Sequence, residues 1–126
     1  MSIKSKLRNK ELTIGSWITI GNTSIAEILA NAGYDWLVVD LEHTTISLEQ
    51  AGELIRTIEL AGVSPLVRLT NNDENQIKRV MDAGAHGIVV PMVKSADDAK
   101  YAVAATRYPP LGNRGVGLAR AQGYGT

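Results

Sequence analysis

Apolar residues recur along the chain in two alternating rhythms. Short runs rich in β-branched residues stand at Ile14-Gly15-Ser16-Trp17-Ile18-Thr19, Trp36-Leu37-Val38-Val39-Asp40, Pro65-Leu66-Val67-Arg68-Leu69 and Gly87-Ile88-Val89-Val90-Pro91. Runs of this kind, each followed by a helical pattern, predict strands buried on both faces of a parallel sheet. Between them the spacing becomes helical. Ile25, Ile28, Leu29 and Ala32 fall at i, i+3, i+4 and i+7, and Leu48, Ala51, Leu54, Ile55 and Ile58 form a second stripe. Ile77, Val80 and Met81 mark a third helix, and Ala99, Ala102 and Val103 a fourth.

Punctuation agrees with this parsing. Thr23 or Ser24, then Ser47, then Asn72 or Asp73, stand where N-caps belong, and Ser95 with Asp98 resembles a capping box. Ala32-Gly33, Ala61-Gly62 and Ala83-Gly84 each close a helix and launch a strand, an internal repeat in which glycine supplies the left-handed turn. The chain therefore reads as four successive βα units with right-handed crossovers, after a polar lead-in over residues 1–12. Beyond Thr106, the segment Arg107-Tyr108-Pro109-Pro110-Leu111-Gly112-Asn113-Arg114-Gly115-Val116-Gly117 has no periodicity and predicts a long functional loop, with no further helix or strand up to Thr126.

Two architectures suit four βα units: a small open parallel sheet with helices on both sides, or the first half of a (β/α)8 barrel, which needs about 250 residues. The 126 residues favour the open sheet on length, whereas charged residues at the ends of adjacent strands favour the barrel.

Composition narrows the function classes. Thirteen basic and thirteen acidic side chains cancel, leaving no electrostatic footprint for nucleic acid or an anionic membrane. Cysteine is absent, so disulfides and cysteine metal sites are excluded. No apolar run has membrane-spanning length and the basic start lacks a signal-peptide core, so a cytoplasmic protein is expected. Phenylalanine is also absent, so the core must be aliphatic.

The candidate chemistry clusters where the second strand ends, at Asp40-Leu41-Glu42-His43. Parallel sheets place their sites at the carboxyl ends of strands. An aspartate near a histidine fixes an imidazole tautomer and raises its basicity, although Asp40 could equally cap the loop beside an exposed His43. Arg68, in an otherwise apolar strand, must meet a carboxylate or an anionic ligand; a structural ion pair with Asp40 or Glu42 is the alternative. A metal site from Asp40, Glu42 and His43 alone is the weaker reading, because three ligands within four residues have no second cluster to complete them. His86 lies at the amino end of its strand, the face associated with stability. Gly115-Val116-Gly117 follows no strand and lacks the third glycine of a dinucleotide loop, and Arg114 and Arg120 either bind an anion or are simply solvated.

Taken in order, Asp40-Leu41-Glu42-His43, Val67-Arg68, Asp82-Ala83-Gly84-Ala85, Val90-Pro91-Met92-Val93 and Arg107-Tyr108-Pro109-Pro110-Leu111-Gly112-Asn113-Arg114-Gly115 resemble the amino-terminal half of the HpcH/HpaI aldolases, the metal-dependent 2-keto-3-deoxy acid aldolases related to citrate lyase β subunits. The resemblance implies that residues 1–126 are the amino-terminal half of a single (β/α)8 TIM-barrel domain, and that the activity is reversible cleavage of 4-hydroxy-2-oxo acids to pyruvate and an aldehyde. It implies His43 as general base or as the activator of a metal-bound water, Asp40 as the residue that orients it, Glu42 as support behind the pair, and Arg68 on the pyruvate keto oxygen. Trp17, Pro91, Met92, Arg114 and Gly115 would complete the substrate contacts. A divalent ion (magnesium, manganese or cobalt) is also implied, with its Glu and Asp ligands expected beyond Thr126, as is a homo-oligomer of the hexamer-of-dimers kind. The chain is thus expected to be a fragment with little activity of its own. An acyl-CoA ester lyase and a non-catalytic half-barrel that pairs with itself or another chain stand as alternatives.

Overall fold

The computed structural model describes residues 2–126. Helix α1 (Ile3–Arg8) leads into strand β1 (Gly15–Ile18), and α2 (Thr23–Ala30), β2 (Trp36–Asp40), α3 (Leu48–Leu60), β3 (Ser64–Arg68), α4 (Glu74–Asp82), β4 (Gly87–Val89) and α5 (Ala96–Thr106) follow. All four strands are parallel, in the order β1-β2-β3-β4. A doubly wound sheet reverses direction at a switch point, whereas consecutive barrel strands do not. The helices also neighbour one another in sequence order, α2 to α3 to α4 to α5, as a single layer. The fold is an open half barrel, not a sheet sandwiched between helices.

Strand alternation divides the sheet into two faces. Ile18, Val39 and Val67 lie in register on the helix side and are buried against Leu54, Ile55, Ile58, Ile77 and Val80. On the other, concave face stand Trp17, Val38 and Leu66 in one row and Asp40, Arg68 and Val89 in the next. The core is aliphatic and the concave face is left partly open.

Local chemistry fixes the element ends. Ser47 and Gln50 form a capping box on α3, Ser95 and Asp98 another on α5, and Asp73 accepts from the amides of Asn75 and Gln76 at the start of α4. The cap of α2 is Asn22, whose side chain accepts from Ser24, and not Thr23 or Ser24; both lie after the cap, Thr23 as the first helical residue. Gly33, Gly62 and Gly84 have φ of 88°, 84° and 106°, the left-handed exits that the repeat requires. Strand β4 stops at Val89, short of the expected Pro91, because its only strand neighbour, β3, ends at the paired Arg68; the chain then turns at Met92 through a φ of 56°. The segment after α5 is not wholly irregular: two short 3-10 turns join across a kink over Arg120–Gly125.

Candidate active site

Register decides what meets at the carboxyl rim. Asp40 ends β2 and pairs with Arg68 at the end of β3, so both side chains project from the same concave row. Arg68 Nε donates to Asp40 Oδ1 at 2.9 Å and Nη2 to Oδ2 at 2.6 Å, a two-point contact that fixes the guanidinium plane. Glu42 Oε2 lies 3.4 Å from the same Nε, and the Trp17 ring packs 4.6 Å from the guanidinium carbon. Arg68 is therefore held on three sides while a quarter of its side chain stays open to solvent.

Asp40 is only 2% exposed, yet it is charged. The hydrogen bonds from Arg68 hold its carboxyl below the usual carboxylate range, against burial, which pushes it up; the amides of Glu42 and His43 add to the lowering. Reciprocally, Asp40 raises the Arg68 pKa, so the cation is permanent.

Of the two readings of Asp40, the structure has the loop cap beside an exposed His43 and not a contact between the carboxylate and the His43 ring. Asp40 Oδ1 accepts from the backbone amides of Glu42 at 2.9 Å and His43 at 3.4 Å, while both its oxygens face Arg68. The His43 ring projects outward, with 70% of its side chain exposed, and its nearest carboxylate oxygen is Glu42 Oε2 at 3.6 Å. Asp40 thus shapes the loop that carries His43 instead of gripping its imidazole. Thr44, which the motifs did not single out, helps: its hydroxyl donates to the Asp40 carbonyl and accepts from the Ile46 amide at 3.2 Å. A Thr just past a strand end is the usual signal for such side-chain turns.

Pro91 and Met92 follow β4 at this rim, Met92 exposed and left-handed. Arg114 and Gly115 do not join them. Arg114 Nη2 donates to Asp82 Oδ1 at 2.6 Å and its guanidinium stacks 4.7 Å from the Tyr108 ring, which leaves the side chain 6% exposed among the helices. Gly115 lines a cleft with Lys78 and Asn75 of α4. The Arg114 amide donates to Arg107 O and the Asn113 amide to Ala104 O, so the loop folds back along α5. His86, at the opposite end of the strands, pairs with Glu59 Oε1 at 3.0 Å, and Glu59 also binds Arg120.

Among the described residues, no three His, Asp or Glu side chains converge as a ligand set for a metal ion. Asp40, the one fully buried carboxylate at the rim, is occupied by Arg68. The described residues do not by themselves fit a divalent ion. What they do supply is a fixed cation stacked on Trp17 at the strand ends and an exposed imidazole on the loop that follows β2.

Comparison with known proteins identifies what the chain is similar to. A 4-hydroxy-2-oxo-heptane-1,7-dioate aldolase from Salmonella dublin is 43% identical over 121 residues, covering 96% of this chain and 46% of that protein. A 2-dehydro-3,6-dideoxy-6-sulfogluconate aldolase from Pseudomonas putida is 39% identical, with 95% and 48% covered. Among solved structures, an HpcH/HpaI aldolase/citrate lyase family protein from Burkholderia cenocepacia J2315 superposes with a TM-score of 0.91 at 37% identity, covering 98% of this chain and 51% of that one. The chain spans about half the length of the relatives it matches. With the family model for HpcH/HpaI aldolase/citrate lyase matching residues 13–122, the chain belongs to that family.

Proposed function

We propose that this chain carries the acid–base and oxyanion half of an aldolase site that cleaves 4-hydroxy-2-oxo acids to pyruvate and an aldehyde. The observation that supports it most is the Arg68 guanidinium, clamped by both oxygens of Asp40 at the rim, stacked on Trp17, and still partly open. In the reaction, a base takes the proton of the C4 hydroxyl and the C3–C4 bond breaks. Its electron pair moves into the C2 carbonyl, leaving an aldehyde and the enolate of pyruvate, which regains a proton at C3. A cation already fixed before charge develops stabilises that oxyanion without reorganising in the transition state. Arg68 meets this requirement.

His43 is the base in this reading. It lies on the same loop as Asp40 and Glu42, and its exposure lets it reach a bound hydroxyl without breaking an existing hydrogen bond. Trp17 stacks on Arg68 beside the bound keto acid in this reading, and Pro91 and Met92 contribute the rim beyond β4. The divalent ion that the resemblance implies would need ligands from outside these residues. Keto acid and aldehyde are the small-molecule partners; a homo-oligomer and a cytoplasmic setting belong to the same proposal.

The test joins this chain to the second half of the Salmonella dublin relative and measures pyruvate release from a 4-hydroxy-2-oxo diacid. Release that falls at least 100-fold in Arg68→Lys, a change that keeps the charge but loses the two-point clamp, supports the reading. Release unaffected by that change contradicts it.

A further inference from the structure

An exposed base has to be held by its backbone. His43 stands in the turn between β2 and α3 with most of its side chain in solvent, and its nearest carboxylate oxygen, Glu42 Oε2, is 3.6 Å away. The turn is anchored at both ends. Leu41 and Ile46 are buried in the core, and the Leu41 amide donates to the Arg68 carbonyl at 3.0 Å, one bond beyond the paired strand ends. Glu42, His43, Thr44 and Thr45 lie between these anchors. The order of so short a segment depends on side chains that bond back to its own backbone.

Among the described residues, two side chains do so. Asp40 Oδ1 accepts from the amides of Glu42 at 2.9 Å and His43 at 3.4 Å, but the same oxygen also receives Arg68 Nε at 2.9 Å, and the bond from His43 is a long one. The other side chain is Thr44. Its hydroxyl donates to the Asp40 carbonyl and accepts from the Ile46 amide, so both of its bonds stay within the turn. Asp40 is the common point: its carbonyl receives Thr44 and its carboxylate clamps Arg68.

We propose that Thr44 is a positioning residue for the aldolase chemistry, its hydroxyl fixing, through Asp40, the spacing between the His43 imidazole and the Arg68 guanidinium. The inference rests on His43 acting as the base, as read above. Threonine suits the task, because branching at Cβ restricts χ1 and so keeps the hydroxyl on its carbonyl. Serine makes the same two bonds from a freer side chain; valine keeps the shape and makes neither. A base displaced by about 1 Å costs up to about 100-fold in rate. That loss falls on turnover more than on binding, because the keto acid is held by Arg68, whose clamp on the Asp40 carboxylate does not involve the hydroxyl.

The test has two arms. In the 126-residue chain itself, amide hydrogen exchange followed by NMR should show the Glu42 and His43 amides exchanging about 10-fold faster in Thr44→Val, with Val38 and Val39 of β2 unchanged and slow exchange restored in Thr44→Ser. In the joined enzyme described above, Thr44→Val should lower kcat about 10-fold while KM changes less than about twofold, and Thr44→Ser should recover most of the rate. Placed on His43→Gln, Thr44→Val should lower the rate no further, because it acts only through the imidazole. Unchanged exchange of the Glu42 and His43 amides in Thr44→Val overturns the inference whatever the activity, as does a loss of rate that adds in full to that of His43→Gln. A joined enzyme indifferent to His43→Gln overturns the base itself and this role with it, so failure of the proposed chemistry is distinguishable from failure of Thr44 alone.

Discussion

Asp40 and Arg68 meet across neighbouring strands in a two-point contact, Nε to Oδ1 at 2.9 Å and Nη2 to Oδ2 at 2.6 Å, at the one register position where β2 and β3 both end. The pair serves two purposes at once. It lets a carboxylate lie almost wholly inside the protein, and it aims a cation along the rim.

The stability of this pair has a defined pH dependence. Because Arg68 depresses the Asp40 carboxyl, the pair stabilises the fold above the ordinary carboxylate range, and that contribution is lost as pH falls through the lower folded value. Asp40→Asn is expected to cost about 2 kcal/mol at pH 7, from a lost charged hydrogen bond and a guanidinium left without its partner. The difference between the two proteins should shrink below about pH 4. Urea unfolding at pH 7, 5 and 3 measures it.

His43 should separate from stability altogether. Its ring is exposed and makes no hydrogen bond within the fold, so His43→Gln is expected to leave the urea midpoint unchanged. In the joined enzyme the same change should reduce pyruvate release by at least 100-fold. A loss of activity accompanied by loss of fold would point to a structural role instead.

Gly15 should tolerate no side chain. A Cβ there would lie 2.0 Å from the Trp36 ring, which crosses over β1 from the adjacent strand. Gly15→Ala is expected to destabilise by about 1–3 kcal/mol through overpacking. Adding Trp36→Val should restore part of that loss, and thermal melts of the single and double variants test the coupling.

At the opposite end, Glu59 clasps His86 and Arg120 together, and Gly84 lacks the Cβ that would collide with the Arg120 guanidinium. Burial raises the Glu59 carboxyl, but the hydrogen bonds from His86 and Arg120 outweigh it and leave it below its ordinary range. The clasp should therefore hold at neutral pH and fail as pH drops through that lowered value. Glu59→Gln is expected to accelerate tryptic cleavage at Arg120 at pH 7, read by mass spectrometry.

Most of the fold was legible because it is local. The caps at Ser47, Asp73 and Ser95 and the exits at Gly33, Gly62 and Gly84 each depend on neighbours within a few residues, and the structure has them as read. The sequential strand order was not legible from periodicity, which left an open two-sided sheet in contention; the motifs pointed to the barrel. Long-range partners were the least legible. An ion pair of Arg68 with Asp40 or Glu42 is one of the readings that the sequence allows, but the choice between Arg68 and the His43 ring as the partner of Asp40 is made by strand register. Arg114 was expected over the ligand, but Asp82 and Tyr108 hold it among the helices, and that pairing depends on how a proline-rich loop folds back. Trp17 against Arg68 became visible only once β1, β2 and β3 were aligned.

The central claim is that one three-carbon keto acid is held between a fixed guanidinium and an imidazole on neighbouring strand ends. The most direct measurement follows deuterium entering the methyl group of pyruvate in D2O by mass spectrometry, with the chain joined to its relative's second half and manganese present. Exchange that is abolished by His43→Gln and strongly reduced by Arg68→Lys, with Glu59→Gln as an unaffected control, is the expected result. Exchange that proceeds equally in all three variants would contradict the account.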